Sequence, residues 1–229
     1  NLEDAPIIPV SAQYRTNIEV VLDAIEQFIP TPKREESKES KMLVARSFDI
    51  NKPGTKTDKL VGGILGGAIT HGKFSLGERV EIRPGAKIGN KYQPLFAKVV
   101  GLQKAGVNLD ATGAGGLLGM MTTLDPSLTK SDSLVGNVVG LPGKLPESKE
   151  TISMNVNFLN RIDTSPVKVN ETILINVGTA RSVGVVTNFK KETMEMKLKI
   201  PVCVEEKEKV AISRQIDERW RLVGYGVIV

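Results

Sequence analysis

Leu60-Val-Gly-Gly-Ile-Leu-Gly-Gly-Ala-Ile-Thr-His-Gly-Lys-Phe-Ser-Leu-Gly-Glu-Arg-Val-Glu-Ile-Arg-Pro-Gly85 decides the fold class. Its apolar, partly β-branched runs are each cut by glycine, and the last closes on Pro-Gly. None reaches the ten to twelve residues a helix needs, so they read as short strands bounded by turns. Glycines inside a strand mark a bulge, a tight barrel bend, or a place where another backbone or a ligand approaches closely. Both readings stay open for Gly62, Gly63, Gly66 and Gly67.

The same texture continues to the end of the chain. Candidate strands cover 43–48, 63–70, 79–83, 96–102, 117–123, 134–141, 151–158, 172–177, 182–189, 194–200, 209–213 and 220–229. Many short strands with regular turn signals predict sandwiches or barrels. Pro142, Gly143 and Pro146 mark a break, so two consecutive β-barrels are expected, 42–147 and 148–229.

Upstream the pattern differs. Residues 5–10 read as a short buried strand. Ile18, Val21, Leu22, Ile25, Phe28 and Ile29 form one face of a 3.6-residue period, and Thr16 and Glu19 have capping-box spacing. Pro30 and Pro32 stop this helix. Its apolar stripe needs a surface to pack on, so 1–32 read as the last strand and helix of a larger α/β domain. Residues 33–41, Lys-Arg-Glu-Glu-Ser-Lys-Glu-Ser-Lys, read as a solvated linker.

Charge is unevenly placed. Residues 1–41 carry five Lys/Arg against eight Asp/Glu, 42–150 carry fourteen against nine, and 151–229 twelve against nine. A basic body suits a polyanion, since each neutralised phosphate releases counterions. With one histidine, His71, and one cysteine, Cys203, a His/Cys zinc site and an internal disulfide are excluded. Cys203 lies between valines and reads as a buried, inert thiol. No apolar run approaches the ~20 residues of a membrane span. No nucleophile–base pair is visible, so an enzyme acting by itself is not expected.

Several segments resemble one family. They are Arg46-Ser-Phe-Asp-Ile-Asn-Lys-Pro-Gly54, the glycine-rich run from Leu60 to Ile69, and Gly77-Glu-Arg-Val-Glu-Ile-Arg-Pro-Gly85. Further on stand Gly115-Gly-Leu-Leu-Gly119, Asp125-Pro-Ser-Leu-Thr-Lys-Ser-Asp132, Val135-Gly136, Ala211-Ile-Ser-Arg214 and Arg219-Trp-Arg-Leu-Val-Gly-Tyr-Gly226. In this order they resemble the gamma subunit of archaeal and eukaryotic translation initiation factor two, closer to the archaeal branch, over nearly the whole chain. The resemblance implies barrels similar to domains two and three of elongation factor Tu. It implies a role in translation initiation, as part of a cytoplasmic GTP-dependent carrier of initiator methionyl-tRNA. That carrier is a heterotrimer with alpha and beta subunits, and it delivers the tRNA to the small ribosomal subunit.

The resemblance also implies GTP and magnesium for the full-length protein. Ser11, Ala12 and Gln13 resemble the remnant of its guanine-contacting loop, and no nucleotide is expected on this chain alone. The phosphate cradle, both switches and the Asn-Lys-x-Asp motif are not found between Asn1 and Val229, so this chain alone is expected to hydrolyse no GTP. Arg46, Lys52, Gly62, Gly63 and Arg83 are the candidate tRNA contacts, with Lys56 and Lys59 in the same turn region. An inter-domain salt bridge is the structural alternative for Arg46. Trp220 reads as core, with Arg219 and Arg221 on the opposite strand face. Ala114 stands where the family has Pro-Gly-Gly, Tyr225 where it has Trp, and 160–171 is shorter than the family pattern. A selenocysteine-type elongation factor and a stand-alone β-barrel protein-binding module are the alternatives. The 46–54 segment argues against the first, and salt-dependent tRNA binding would separate the second.

Overall fold

The computed structural model describes residues 4–34, 37–159 and 165–229. The chain forms two compact units, 1–34 and 35–229.

The first unit holds one helix, α1 (Ile18–Phe28), where the apolar spacing places it. Its end is as expected: the Ile29 N–H bonds the Ile25 carbonyl just before Pro30. The capping box is not formed. Thr16 exchanges backbone hydrogen bonds with Ser11, so the helix starts one residue later. The N-cap is then Asn17, at φ 59°, and its side chain bonds the Pro9 carbonyl at 2.9 Å rather than capping the helix. The expected strand at 5–10 is also absent, and Ile7 is 95% exposed. A strand exists only through a ladder to a neighbour, and no described residue supplies one. No residue of α1 is buried, so Leu22, Ile25 and Phe28 face outward.

The second unit holds two antiparallel barrels. The first uses β1 (Lys41–Phe48), β2 (Ile64–His71), β3 (Lys73–Ser75), β4 (Arg79–Ile88), β5 (Lys91–Lys104), β6 (Val107–Leu109), β7 (Ala111–Gly113), β8 (Leu117–Thr122) and β9 (Val138–Gly140). The order β4-β9-β1-β2-β8-β5 closes through β4–β5, β6 extends β5, and β3 pairs with β7. Met42, Val44, Leu65, Val80, Ile82 and Met120 point inward in the alternation each strand requires. The second barrel uses β10 (Ser148–Phe158), β11 (Thr172–Val177), β12 (Ala180–Lys190), β13 (Thr193–Cys203), β14 (Lys209–Ile216) and β15 (Arg219–Ile228). It closes in the order β10-β13-β12-β11-β14-β15.

Three local readings differ from expectation. Only Val138–Gly140 of 134–141 is strand. Ahead of it the Leu134 N–H goes to Ser47 Oγ, and the Asn137 amide bonds the Leu134 carbonyl and Gly85 N–H, which holds this stretch in a turn. Trp220 is half-buried rather than core, because it lies next to the β14–β15 turn, beyond the packed interior. The linker is not solvated to its end: Ser40 and Lys41 are buried. Ser40 Oγ donates to the Lys73 carbonyl, and Lys41 Nζ reaches Glu205 at 2.8 Å and Glu208 at 3.9 Å.

That ion pair joins the two barrels. Beside it Leu43, Val138, Leu145 and Cys203 form a small apolar cluster. A Cβ on Gly136 would stand 2.8 Å from Ala180 Cα, and one on Gly178 3.0 Å from Leu43 Cδ1. The connecting segment is fastened too. Glu81, its side chain 1% exposed, accepts from Arg83 Nε at 2.6 Å and from the Gly143 N–H at 2.7 Å. The bonded Lys41 ammonium holds the Glu205 carboxyl below its usual range. What this contact adds to stability is therefore present above the unfolded carboxylate pKa and is lost as pH falls through the lowered folded value.

Burial pushes the Cys203 thiol up to about 11, from an ordinary 9.0. At neutral pH its thiolate fraction is then about 100-fold below that of a free thiol. Native protein should react with iodoacetamide at least that much more slowly than denatured protein, as mass spectrometry would show. Comparable rates would mean that the cluster around Cys203 opens readily.

Candidate nucleic-acid interface

β1 begins against the second barrel at Lys41 and ends at Phe48, roughly 23 Å away at ~3.3 Å per residue. From that far end the chain leaves as loop 49–63, which includes a short 3₁₀ turn (Thr57–Lys59). One side chain closes the loop. Asn51 donates to the Val61 carbonyl at 2.7 Å and accepts the Val61 N–H at 2.8 Å. Asp49 accepts from the Asn51 N–H at 2.8 Å, and this bond leads the causes holding its carboxyl below the ordinary range.

Segment 125–132 braces the same region. Asp132 accepts from Arg46 Nε at 2.9 and 3.1 Å and from the Ser47 N–H at 3.0 Å. The Arg46 bond comes first among the causes that lower its pKa. Lys130 Nζ lies 3.6 Å from Asp49, and Thr129 Oγ1 donates to the Phe48 carbonyl. Asp125 caps its own turn by accepting from the Ser127 N–H at 2.8 Å. The two signature segments, 46–54 and 125–132, are therefore one hydrogen-bonded unit.

The loop presents Lys52, Lys56 and Lys59, all exposed and, among the described residues, none in an ion pair. Beside it a groove of about 290 Å³ runs over the outer barrel wall between Phe48, Ile50, Met121, Gln103 and Asn108.

The other candidate residues fall in different settings. Arg46 forms its ion pair inside its own barrel, not with another domain. Gly62 and Gly63 face protein: a Cβ on Gly62 would stand 1.9 Å from the Thr122 carbonyl oxygen, and one on Gly63 2.4 Å from Thr129 Cγ2. Gly66 and Gly67 lie opposite a bulge in β1, between Val44 and Arg46. These contacts supply the structural reading of the glycines. Arg83 sits on β4 beside the inter-barrel segment, with its Nε bonded to Glu81. Ser11, Ala12 and Gln13 form a turn in the other unit, where Ser11 Oγ accepts the Tyr14 N–H at 3.4 Å. Among the described residues the Ala12 and Gln13 N–H groups have no acceptor. Part of the short 160–171 stretch, 160–164, lies outside the described residues.

Sequence reasoning missed Asn51, Ser47, Thr129 and Asp132 as the groups that shape this surface. They stood inside the quoted motifs, but nothing in a linear reading pairs residues so far apart along the chain.

Comparisons with known proteins fit this architecture. The family model described as "Initiation factor eIF2 gamma, C terminal" matches residues 148–228. The translation initiation factor 2 gamma subunit of Pyrococcus furiosus is 52% identical over 237 residues, covering 99% of this chain and 58% of that protein. The one from Methanocaldococcus jannaschii is 49% identical with the same coverage. A crystal structure of a bacterial selenocysteine-specific elongation factor superposes with a TM-score of 0.73 at 19% identity. It covers 97% of this chain and 33% of that one, and at this identity it shows the fold alone. Identity near one half along 99% of the chain, on a matching pair of closed barrels, places it: the chain belongs to the gamma-subunit family of translation initiation factor two and spans 58% of the length of these relatives.

Proposed function

We propose that this two-barrel body is the tRNA-carrying and subunit-scaffolding part of an initiation factor that brings initiator methionyl-tRNA to the small ribosomal subunit. The observation that supports this most is loop 49–63. Its ends are tied by Asn51 and its exposed surface offers three lysines with no carboxylate partner among the described residues. A loop ordered before binding loses less entropy on binding. Lysines positioned in this way hold phosphates and fix register.

The outer groove and the remaining loop surface offer apolar area for protein partners, here assigned to the alpha and beta subunits in the cytoplasm. GTP and magnesium belong to the longer protein. Of this chain's residues, Ser11–Gln13 fit that role: two open backbone donors in a turn ahead of α1 suit the acceptor edge of a base. Gly62, Gly63, Arg46 and Arg83 enter by shaping the barrel and its linkage, and Lys52 by direct contact.

The test is charge reversal. Lys52→Glu with Lys56→Glu and Lys59→Glu, in the full-length protein, is expected to weaken binding of initiator methionyl-tRNA at least tenfold. The dependence of log affinity on log salt should flatten by about 0.7–0.9 per lost contact. Unchanged affinity and slope would overturn the reading and make loop 49–63 a protein-docking face instead.

A further inference from the structure

A cleft lies where β4 of the first barrel meets β13 of the second. It consists of two hollows that share Pro84, Tyr92 and Pro201. The first, about 90 Å³, is walled by Val135, Ala180, Ile200 and Val202, and Val135 and Ile200 are exposed at its mouth. Its uncharged polar side chains are engaged. Asn137 bonds the Gly85 N–H and the Leu134 carbonyl, and Ser133 Oγ donates to the Leu128 carbonyl. The second hollow, about 250 Å³, is bordered by Arg83, Glu147, Ser148 and Glu150.

Charge decides what can enter. Arg83 is committed within the chain, its Nε to Glu81 and its Nη1 to the Pro146 carbonyl at 3.5 Å. Its charge is therefore matched. Of the other carboxylates at the barrel junction, Glu39 meets Lys144, and Glu205 and Glu208 meet Lys41. Glu147 and Glu150 are exposed and meet no cation among the described residues. The second hollow is thus left with two uncompensated carboxylates, in a chain of net charge +5. Arg181 lines only the first hollow, so a cationic ligand is directed to the end away from it. Ser148 Oγ, in the wall between the two carboxylates, is buried without a hydrogen-bond partner, an uncommitted acceptor for an entering donor.

The walls favour a polypeptide. Proline loses no side-chain entropy on burial, and grooves lined by rigid and aromatic rings suit extended segments. The Tyr92 ring borders both hollows, where it packs against an apolar neighbour or attracts a cation. A ligand that fills both must carry an apolar group and a cation side by side. A polyamine carries only the second, and an acidic segment is repelled. We propose that this inter-barrel cleft docks a short extended segment of a partner protein, with an aliphatic or proline residue in the first hollow and a lysine or arginine at Glu147 and Glu150. The site is separate from loop 49–63.

The test is selection from a random dodecapeptide library on the 229-residue chain, with depletion on the chain carrying Glu147→Lys and Glu150→Lys. Retained peptides should carry lysine or arginine within a few residues of proline or an aliphatic residue. Fluorescence anisotropy of one such peptide then gives its affinity. Glu147→Lys with Glu150→Lys should weaken it at least tenfold, and both residues are exposed, so the melting temperature should not change. Ile200→Asp, on the other barrel, should weaken it as much if the segment spans both hollows. Tyr92→Phe should bind like the parent and Tyr92→Ala at least tenfold more weakly. Glutamate in place of the peptide's basic residue should abolish binding to the parent and restore it to the charge-reversed variant. The proposal is overturned if no selected peptide depends on Glu147 and Glu150, or if acidic peptides are enriched. It is equally overturned if spermidine displaces the peptide at concentrations as low as the peptide's own Kd, which would make the carboxylates a site for a free cation.

Discussion

Gly67→Ala is expected to disrupt the first barrel, at a cost above about 4 kcal/mol, the range reached only by severe packing or backbone conflicts. A Cβ at Gly67 would lie 1.9 Å from the Leu43 carbonyl oxygen, 3.0 Å from its carbon and 3.3 Å from the Ala45 nitrogen. All three are backbone atoms of the strand that β2 pairs with, so no side-chain rotation relieves the clash. The chain must separate β1 from β2, and with them the Met42, Val44 and Leu65 packing. The neighbouring position is the control. A Cβ at Gly66 meets nothing closer than Arg46 Cβ at 3.3 Å, and Gly66→Ala should stay within about 1 kcal/mol of the parent. Amide hydrogen exchange along β1 and β2 distinguishes the two, since it reports local opening in one barrel whatever the other does. If Gly67→Ala exchanged as slowly as Gly66→Ala, the steric explanation for glycine in this strand would be wrong.

Arg214→Met should destabilise the second barrel by about 3–5 kcal/mol, the usual effect of removing one member of a buried ion pair. The Arg214 side chain is 9% exposed and Glu171 21%. Its Nε and Nη2 donate to the two Glu171 oxygens at 2.5 and 3.1 Å. Its Nη1 donates to the Ser165 carbonyl at 2.5 Å, so one guanidinium fastens the segment before β11 onto β14. Without it, the Ser165 carbonyl loses its donor and the Glu171 carboxylate keeps the Lys168 N–H but loses the guanidinium, in a partly desolvated place. Arg214→Lys should recover only part of the loss, because a single ammonium cannot reproduce the planar fork. Trp220 is the only tryptophan and pairs with Gln215, next to Arg214, so its fluorescence follows this barrel through a thermal melt. A melting temperature unchanged in Arg214→Met would show that the clamp is not needed. The same arginine lies in the Ala211–Arg214 signature, and the structure accounts for it by this clamp.

The strands of both barrels were legible because alternation is local. A residue on a strand points in or out according to its neighbours two positions away, so Met194, Met196 and Leu198 announce their own face. The helix at 18–28 was legible for the same reason, at a different period. The short strands Lys73–Ser75, Val107–Leu109 and Ala111–Gly113 were not, since three residues carry no period. The candidate site divides in the same way. Lys52, Lys56 and Lys59 could be named from their turn, whereas the bond that ties Glu81 to the Gly143 N–H of the inter-barrel segment, 62 positions away, left no mark in the linear pattern.

By itself the sequence determined the β class, the two-barrel division, the placement of α1 and the family signature, all of which depend on residues close along the chain. Tertiary structure alone decided which polar groups meet. Asp132 reaches Arg46 across 86 positions, Lys41 reaches Glu205 across 164, and Asn51 ties the loop that presents the lysines. It also decided the first unit: 5–10 has the composition of a strand but finds no ladder partner among the described residues, and the Ser11–Thr16 bridge displaces the expected cap. The physical reason is common to these cases. A hydrogen bond or ion pair fixes two groups in space, and a linear pattern holds information about only one of them at a time.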